Sequence, residues 1–233
     1  PFLVNEITVT EFKEFPTFEN RNHFITIGNL LHAPNVDAIL FLKKEIWPLI
    51  KKQLPQAQLY IYGNYAPQHI LELHNQKQGF YIMGWADSVA HVMQKARVCL
   101  APLRFGAGLK GKLLDAMLYG TPGVTTSIGA EGMYGDLPMP GVIADTPERF
   151  AEHSVAIYSN KIKWQENAQR GVEIIKERYN SKAISRDFMT RLDALKTNLK
   201  LHRQAHFVGQ ILQHHSLQAS KYLSKWIEEK NKV

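Results

Sequence analysis

Four short apolar runs set the frame for this chain: "HFITIG" (23–28), "AQLYIYG" (57–63), "GFYIMGW" (79–85) and "RVCLAPL" (97–103). Stretches with helical spacing separate them. In "NVDAILFLKKEIWPLIKKQL" (35–54), Ala38, Ile39, Leu42, Ile46, Leu49 and Ile50 recur three and four positions apart, which predicts a helix. Pro34 suits its first turn, and Pro48 predicts a kink or a stop. Residues 66–76, 87–96 and 111–119 read as further helices, the second with Asp87 as N-cap. "PGVTTS" (122–127) and "GVIAD" (141–145) add two strands, and 146–160, 162–179 and 181–195 read as helices. Continuous apolar strands alternating with helices mark a parallel sheet covered on both faces, its crossovers right-handed. The predicted fold class is therefore α/β: an open, doubly wound, six-stranded parallel sheet that takes ligands beyond the carboxyl ends of its strands. Gly28, Gly63, Gly84 and the loop after Pro102 fall at that edge.

Composition narrows the function classes. The chain has 233 residues, 45% of them hydrophobic, which is ordinary for a globular protein. No apolar run reaches the roughly 18 residues of a membrane span. Residues 1–22, "PFLVNEITVTEFKEFPTFENRN", read like an interdomain linker, so a preceding N-terminal domain is expected. The net charge of +7 is uneven: from Lys196 onward seven Lys/Arg stand against two Glu. The nearly neutral remainder argues against a nucleic-acid-binding face. Cys99 is the single cysteine; it cannot form an internal disulfide, which fits a reducing cytosol, and it reads as a small core residue.

The loop after the fourth strand carries the chemistry. "GAGLKGKLLDAMLYGTPG" (106–123) admits three readings. As a P-loop it lacks the Ser or Thr that holds magnesium, because Leu113 follows Lys112; Asp145 would be its second magnesium residue. As a dinucleotide fingerprint it stands after the wrong strand, and Glu131, at a suggestive distance, lies beyond the next strand. The third reading uses more residues. Gly106 and Gly108 let the backbone approach a charged group, and Lys110 and Lys112 supply point charges to a diphosphate. A short helix to Tyr119 aims its N-terminal N–H groups at the same place. Asp115, one turn in, can accept from a ribose diol, and Gly120 with Pro122 ends the helix.

At this point the chain resembles a known family. "GAGLKGKLLDAMLYGTPGVTTSIGAEG" (106–132), "HAPNVDAILFLKKEIWPLIKKQLPQAQLYIYG" (32–63) and "GFYIMGWADS" (79–88) together resemble GT-B glycosyltransferases, especially glycosyltransferase family 4, over about residues 24 to 180. The resemblance implies a Rossmann-like nucleotide-sugar-binding domain over 23–195, the C-terminal half of a GT-B enzyme, followed by a basic amphipathic helical tail over 196–233. It implies a UDP- or GDP-sugar as donor substrate, no metal or other cofactor, a retaining transfer, and an acceptor bound by the N-terminal domain. By position, Asp115 would hold the ribose. Lys110 and Lys112 would neutralise the diphosphate as the catalytic cations. Gly84 and Trp85 would sit by the nucleobase, and Gly28 and Asn29 would approach the diphosphate. Gly63, Gly106, Ala107, Gly108 and Leu109 would complete the donor-binding edge.

The chain departs from the family at two places. Many members carry two glutamates eight positions apart; here Ala107 and Asp115 stand there. The usual Arg and Lys after the first strand are not evident in "GNLLHAPN", which leaves Arg104 as a substitute cation. A sugar-nucleotide epimerase of the same fold, and a degenerate binding module, are the alternative readings. Blander readings also stand beside single residues: Trp85 as packing, the two lysines as solvated charges, Asp115 as a dipole partner of its helix, Glu131 as a loop cap. The tail reads as one or two amphipathic helices that rest on a preceding domain or on an anionic membrane at the cytoplasmic face. His202, His206, His214 and His215 lack the cysteine or acidic residues that would complete a metal site.

Overall fold

The structure is a computed structural model that describes residues 14–232, leaving the side chains of 213–217 undescribed. Residues 1–13 of the expected linker, and the side chains of His214 and His215, lie outside the described residues. The described residues fall into two compact units that follow one another, divided between Asn180 and Ser181.

The first unit is a six-stranded sheet in which every described pairing is parallel. Its strands are β1 (Asn22–Ile27), β2 (Leu59–Tyr62), β3 (Phe80–Gly84), β4 (Ala96–Ala101), β5 (Gly123–Thr125) and β6 (Gly141–Ile143), in the order β3-β2-β1-β4-β5-β6. The order reverses between β1 and β4, so the crossovers before and after leave in opposite directions and open a crevice there. Alternate residues face opposite layers. Phe24, Leu59, Ile61, Val98 and Leu100 pack with Leu42, Ile46, Trp47 and Phe150 on one face. Ile25 and Cys99 meet Val92, Met93 and Ala116 on the other.

The helices are α1 (Ala33–Phe41), α2 (Trp47–Gln53), α3 (Gln68–Leu71), α4 (Val89–Lys95), α5 (Gly111–Leu118), α6 (Ser127–Ala130), α7 (Pro147–Ser159) and α8 (Lys161–Arg178). The expected helix 35–54 is interrupted by a π turn at Leu42–Ile46. Pro48 has no N–H to give the preceding turn, and the wider turn absorbs the mismatch. Ser88, not Asp87, caps α4: its hydroxyl accepts from the His91 N–H at 3.2 Å. The predicted helix 66–76 shrinks to the single turn of α3, and Ser127, predicted as the end of the fifth strand, instead opens α6, capped by Thr126.

The segment expected as linker is packed from Phe15 onward. Phe15 is buried, and Phe18 meets the Trp164 ring edge-on at 5.8 Å. Arg21 is fully buried, with no carboxylate partner among the described residues. Its guanidinium donates to the carbonyls of Met93 and Ala96 at 3.2 Å, to Tyr119 O at 2.8 Å and to Thr121 Oγ1 at 2.8 Å, and lies over the Trp164 ring. Burial pulls its pKa down to about 10, which still leaves it charged at neutral pH.

The second unit holds α9 (Ser181–Thr197), α10 (Leu199–Ala205) and α11 (Phe207–Lys230). The division falls before α9 rather than after residue 195, since α9 and α10 contain no buried residue. No helix among the described residues is long and apolar enough to cross a membrane.

Candidate functional site

At the strand-order reversal lies a cavity of about 640 Å³. The chain turns that leave β1, β2, β3 and β4 build it, and α1, α4 and α5 wall it. Gly28, Asn29, Gly63, Trp85, Gly106, Ala107, Leu109, Lys110, Lys112 and Asp115, all singled out in the sequence, line it together. Gly84, Arg104 and Gly108 do not. The Gly84 carbonyl accepts from the Gly63 N–H at 2.7 Å and so fixes the neighbouring turn. Gly108, at φ 75°, shapes the loop. Arg104 turns away: its Nε donates to Asp37 Oδ2 at 2.8 Å, its Nη2 pairs with Asp37 Oδ1, and the guanidinium lies over the Phe41 ring. A nearby carboxylate on α1 thus takes up the cation proposed for the site.

Two glycines make the floor possible. A Cβ on Gly28 would stand 2.7 Å from Asn35 Nδ2, and one on Gly63 would stand 2.1 Å from the Gly28 carbonyl oxygen. Without side chains the turns after β1 and β2 close on each other and on α1.

The cationic wall belongs to α5. The Gly111 and Lys112 N–H groups, first in the helix, meet no acceptor among the described residues, and both residues line the cavity. Lys112 is half-buried, and its Nζ donates to Asn35 Oδ1 at 2.9 Å. Asn35 Nδ2 in turn donates to the Asn29 carbonyl at 2.8 Å. One amide therefore ties the turn after β1 to the lysine after β4. Burial pushes the Lys112 ammonium down to about 8, so it is charged at neutral pH but close to release. Lys110 is arranged differently. It is buried, and its Nζ donates to the carbonyls of Gly108 at 2.6 Å and Gly106 at 3.4 Å, pinning its own loop. Asp115 is the one carboxylate among the described lining residues. Burial alone pushes it up to about 6, and no described residue donates to it. The two groups singled out for other chemistry sit elsewhere: Asp145 accepts from the Ser127 N–H and hydroxyl at 2.8 and 2.9 Å, and Glu131 is exposed outside the cavity.

The mouth is aromatic. Trp85 is 64% exposed, so it packs into no core, and Tyr65 and Phe105 stand at the same rim. Sequence reasoning missed Tyr65, Phe105 and Asn35. The available signals were the position of "NYA" just after the second strand's glycine and of Phe105 just before the loop glycines. An open apolar rim over unpaired N–H groups, an ammonium and one carboxylate suits a ligand with a planar ring, a diol and a phosphate chain.

The family comparison decides the class of protein. Residues 21–160 match the sequence profile described as Glycosyl transferases group 1. The chain belongs to the group 1 glycosyltransferases. A Klebsiella pneumoniae relative, described as an uncharacterized 44.6 kDa protein in the cps region, is 28% identical over 192 residues, covering 78% of this chain and 49% of that protein. Among solved structures, Staphylococcus aureus TarM, crystallised with UDP, superposes with a TM-score of 0.65 at 16% identity, over 81% of this chain and 38% of its own. Anabaena HepE, crystallised with UDP and glucose, gives 0.60 at 17% identity, over 76% and 50%. These likenesses share the fold: a Rossmann-like half of the GT-B architecture. This glycosyltransferase chain spans half or less of the length of these relatives.

Proposed function

We propose that the cavity binds the nucleoside diphosphate part of a nucleotide sugar, UDP before GDP, and that this unit is the donor-binding half of a glycosyltransferase. One observation carries the reading. Lys112 and two unpaired N–H groups of α5 converge with Asp115 on a single cavity at the strand-order reversal. The aromatic rim receives the base, and Asp115 receives the ribose diol. The cations and the helix N-terminus receive the diphosphate. Breaking the sugar–phosphate bond leaves negative charge on the departing nucleotide; Lys112, oriented by Asn35, stabilises that charge without a metal. Lys110 holds the glycine loop, and its ammonium exchanges the carbonyls of Gly106 and Gly108 for a diphosphate oxygen as that group enters. The acceptor is bound by another domain, and the cps-region description of the Klebsiella relative supports a role in polysaccharide assembly.

A second reading rests on Ala107, which lines the cavity where the family resemblance implies a glutamate. Asp115 is then the only carboxylate among the described lining residues, and a binding module without sugar transfer fits that deficit. Calorimetric titration of this chain with UDP and GDP tests the nucleotide reading. UDP binding that survives EDTA and weakens about tenfold or more in Lys112→Ala supports it. No heat from either nucleotide, with the chain shown folded, refutes it.

A further inference from the structure

The second unit presents a surface that the nucleotide site does not explain. Along α11, Val208, Ile211, Leu212, Tyr222, Leu223 and Trp226 follow the three-and-four spacing of one helix face, and each is at least 40% exposed. The helix has 24 residues and runs about 36 Å, long enough to span but not apolar enough to do so. The unit that carries this stripe is basic, although α11 itself holds only three lysines against two glutamates. Residues 181–233 hold ten Lys/Arg and four Asp/Glu, a net +6 of the whole chain's +7. Of the two acidic residues on α11, Glu229 is already paired with Lys232 at 2.6 Å. Lys221 and Lys225 stand four apart on the polar side of the helix, and Lys230 Nζ lies 5.1 Å from the Trp226 ring.

We infer that α11 lies flat on an anionic lipid surface, with its apolar face among the acyl chains and its lysines at the headgroups. A protein partner would have to offer an apolar groove and a separate acidic field. An anionic leaflet offers both together, to a unit that joins an exposed apolar helix face to a net charge of +6. The aromatic side chains Tyr222 and Trp226 suit the headgroup depth, where an amphipathic ring keeps one end wet. This reading is independent of what the cavity binds.

The test is sedimentation of the full chain with vesicles of phosphatidylcholine alone and of phosphatidylcholine mixed with phosphatidylglycerol. The chain pellets with the anionic vesicles and not with the neutral ones, and loses that binding as salt rises. Lys221→Glu/Lys225→Glu lowers the partition more than about tenfold, and Trp226→Ala lowers it about several-fold. Far-ultraviolet circular dichroism and thermal unfolding show whether both variants remain folded. Absence of binding to anionic vesicles assigns the face to a protein partner and overturns the proposal. Equal binding to both vesicle types overturns it too, as does an unchanged partition of the folded charge-reversed chain.

Discussion

Asn35 and Lys112 show what a single side chain contributes. Both polar atoms of the Asn35 amide are engaged, one by the ammonium and one by the turn after β1. Lys112, lowered to about 8 from the usual 10.5, is therefore held where a diphosphate would arrive but is only weakly protonated above that value. The sign follows from linkage. An anionic ligand favours the charged lysine, so binding takes up a proton once the free site has lost it. UDP affinity is expected to be flat between about pH 7 and 8 and to fall above that by up to about tenfold per unit. Lys112→Arg keeps its charge and removes the decline. Asn35→Asp places a carboxylate beside the ammonium, weakens binding overall and moves the decline upward. Titration calorimetry across pH reads all three. The fold carries the same linkage: between about 8 and 10.5 the unfolded chain holds more protons at this lysine, and stability rises with pH through that window. None of this was legible in "GAGLKGK". The string shows two lysines of equal standing, and only tertiary contacts separate Lys110, which pins its own loop, from Lys112, which is tied across the cavity to Asn35.

At the scale of elements, the segment before β1 joins parts that are distant in sequence. Arg21 satisfies carbonyls at the ends of α4 and α5, the helices that wall the cavity, and Trp164 of α8 covers it. Arg21→Ala would take the guanidinium donor from the buried carbonyls of Ala96 and Tyr119, leave the Met93 carbonyl to the Thr121 hydroxyl, and open a cavity beneath Trp164. The expected loss is about 3–5 kcal/mol, read from urea unfolding, because both penalties act at one place. Arg21→Lys recovers only part of this, since one ammonium cannot reach every acceptor of the guanidinium fork. "ENRN" looks like a polar linker in sequence because nothing local marks the arginine as buried. The strands and helices, by contrast, were legible, since each advertises its period within ten residues. The exceptions have local causes: Pro48 displaces a turn, and Ser88 competes successfully with Asp87 for the cap.

For the whole molecule, the division before α9 matters most. α8 buries Trp164, Ala168, Val172, Ile174 and Ile175, whereas α9 and α10 bury nothing. A chain ending at Asn180 is expected to melt within about 4 °C of the full one and to bind UDP equally. Circular dichroism melts and the same titration check both. The sequence by itself determined the alternation of strand and helix, hence the parallel sheet, and it placed the glycines at the sheet edge where the cavity opens. It also carried the family, because the glycine loop and its helix form one continuous string. Only the tertiary structure decided which side chains meet across the strand-order reversal. It joined Lys112 to Asn35, spent Arg104 on Asp37, and set Tyr65 and Phe105 beside Trp85. The reason is that periodicity fixes which way a residue faces along its own element. Which residue it faces depends on β1 and β4 lying side by side, and that pairing is written in no local stretch of the chain.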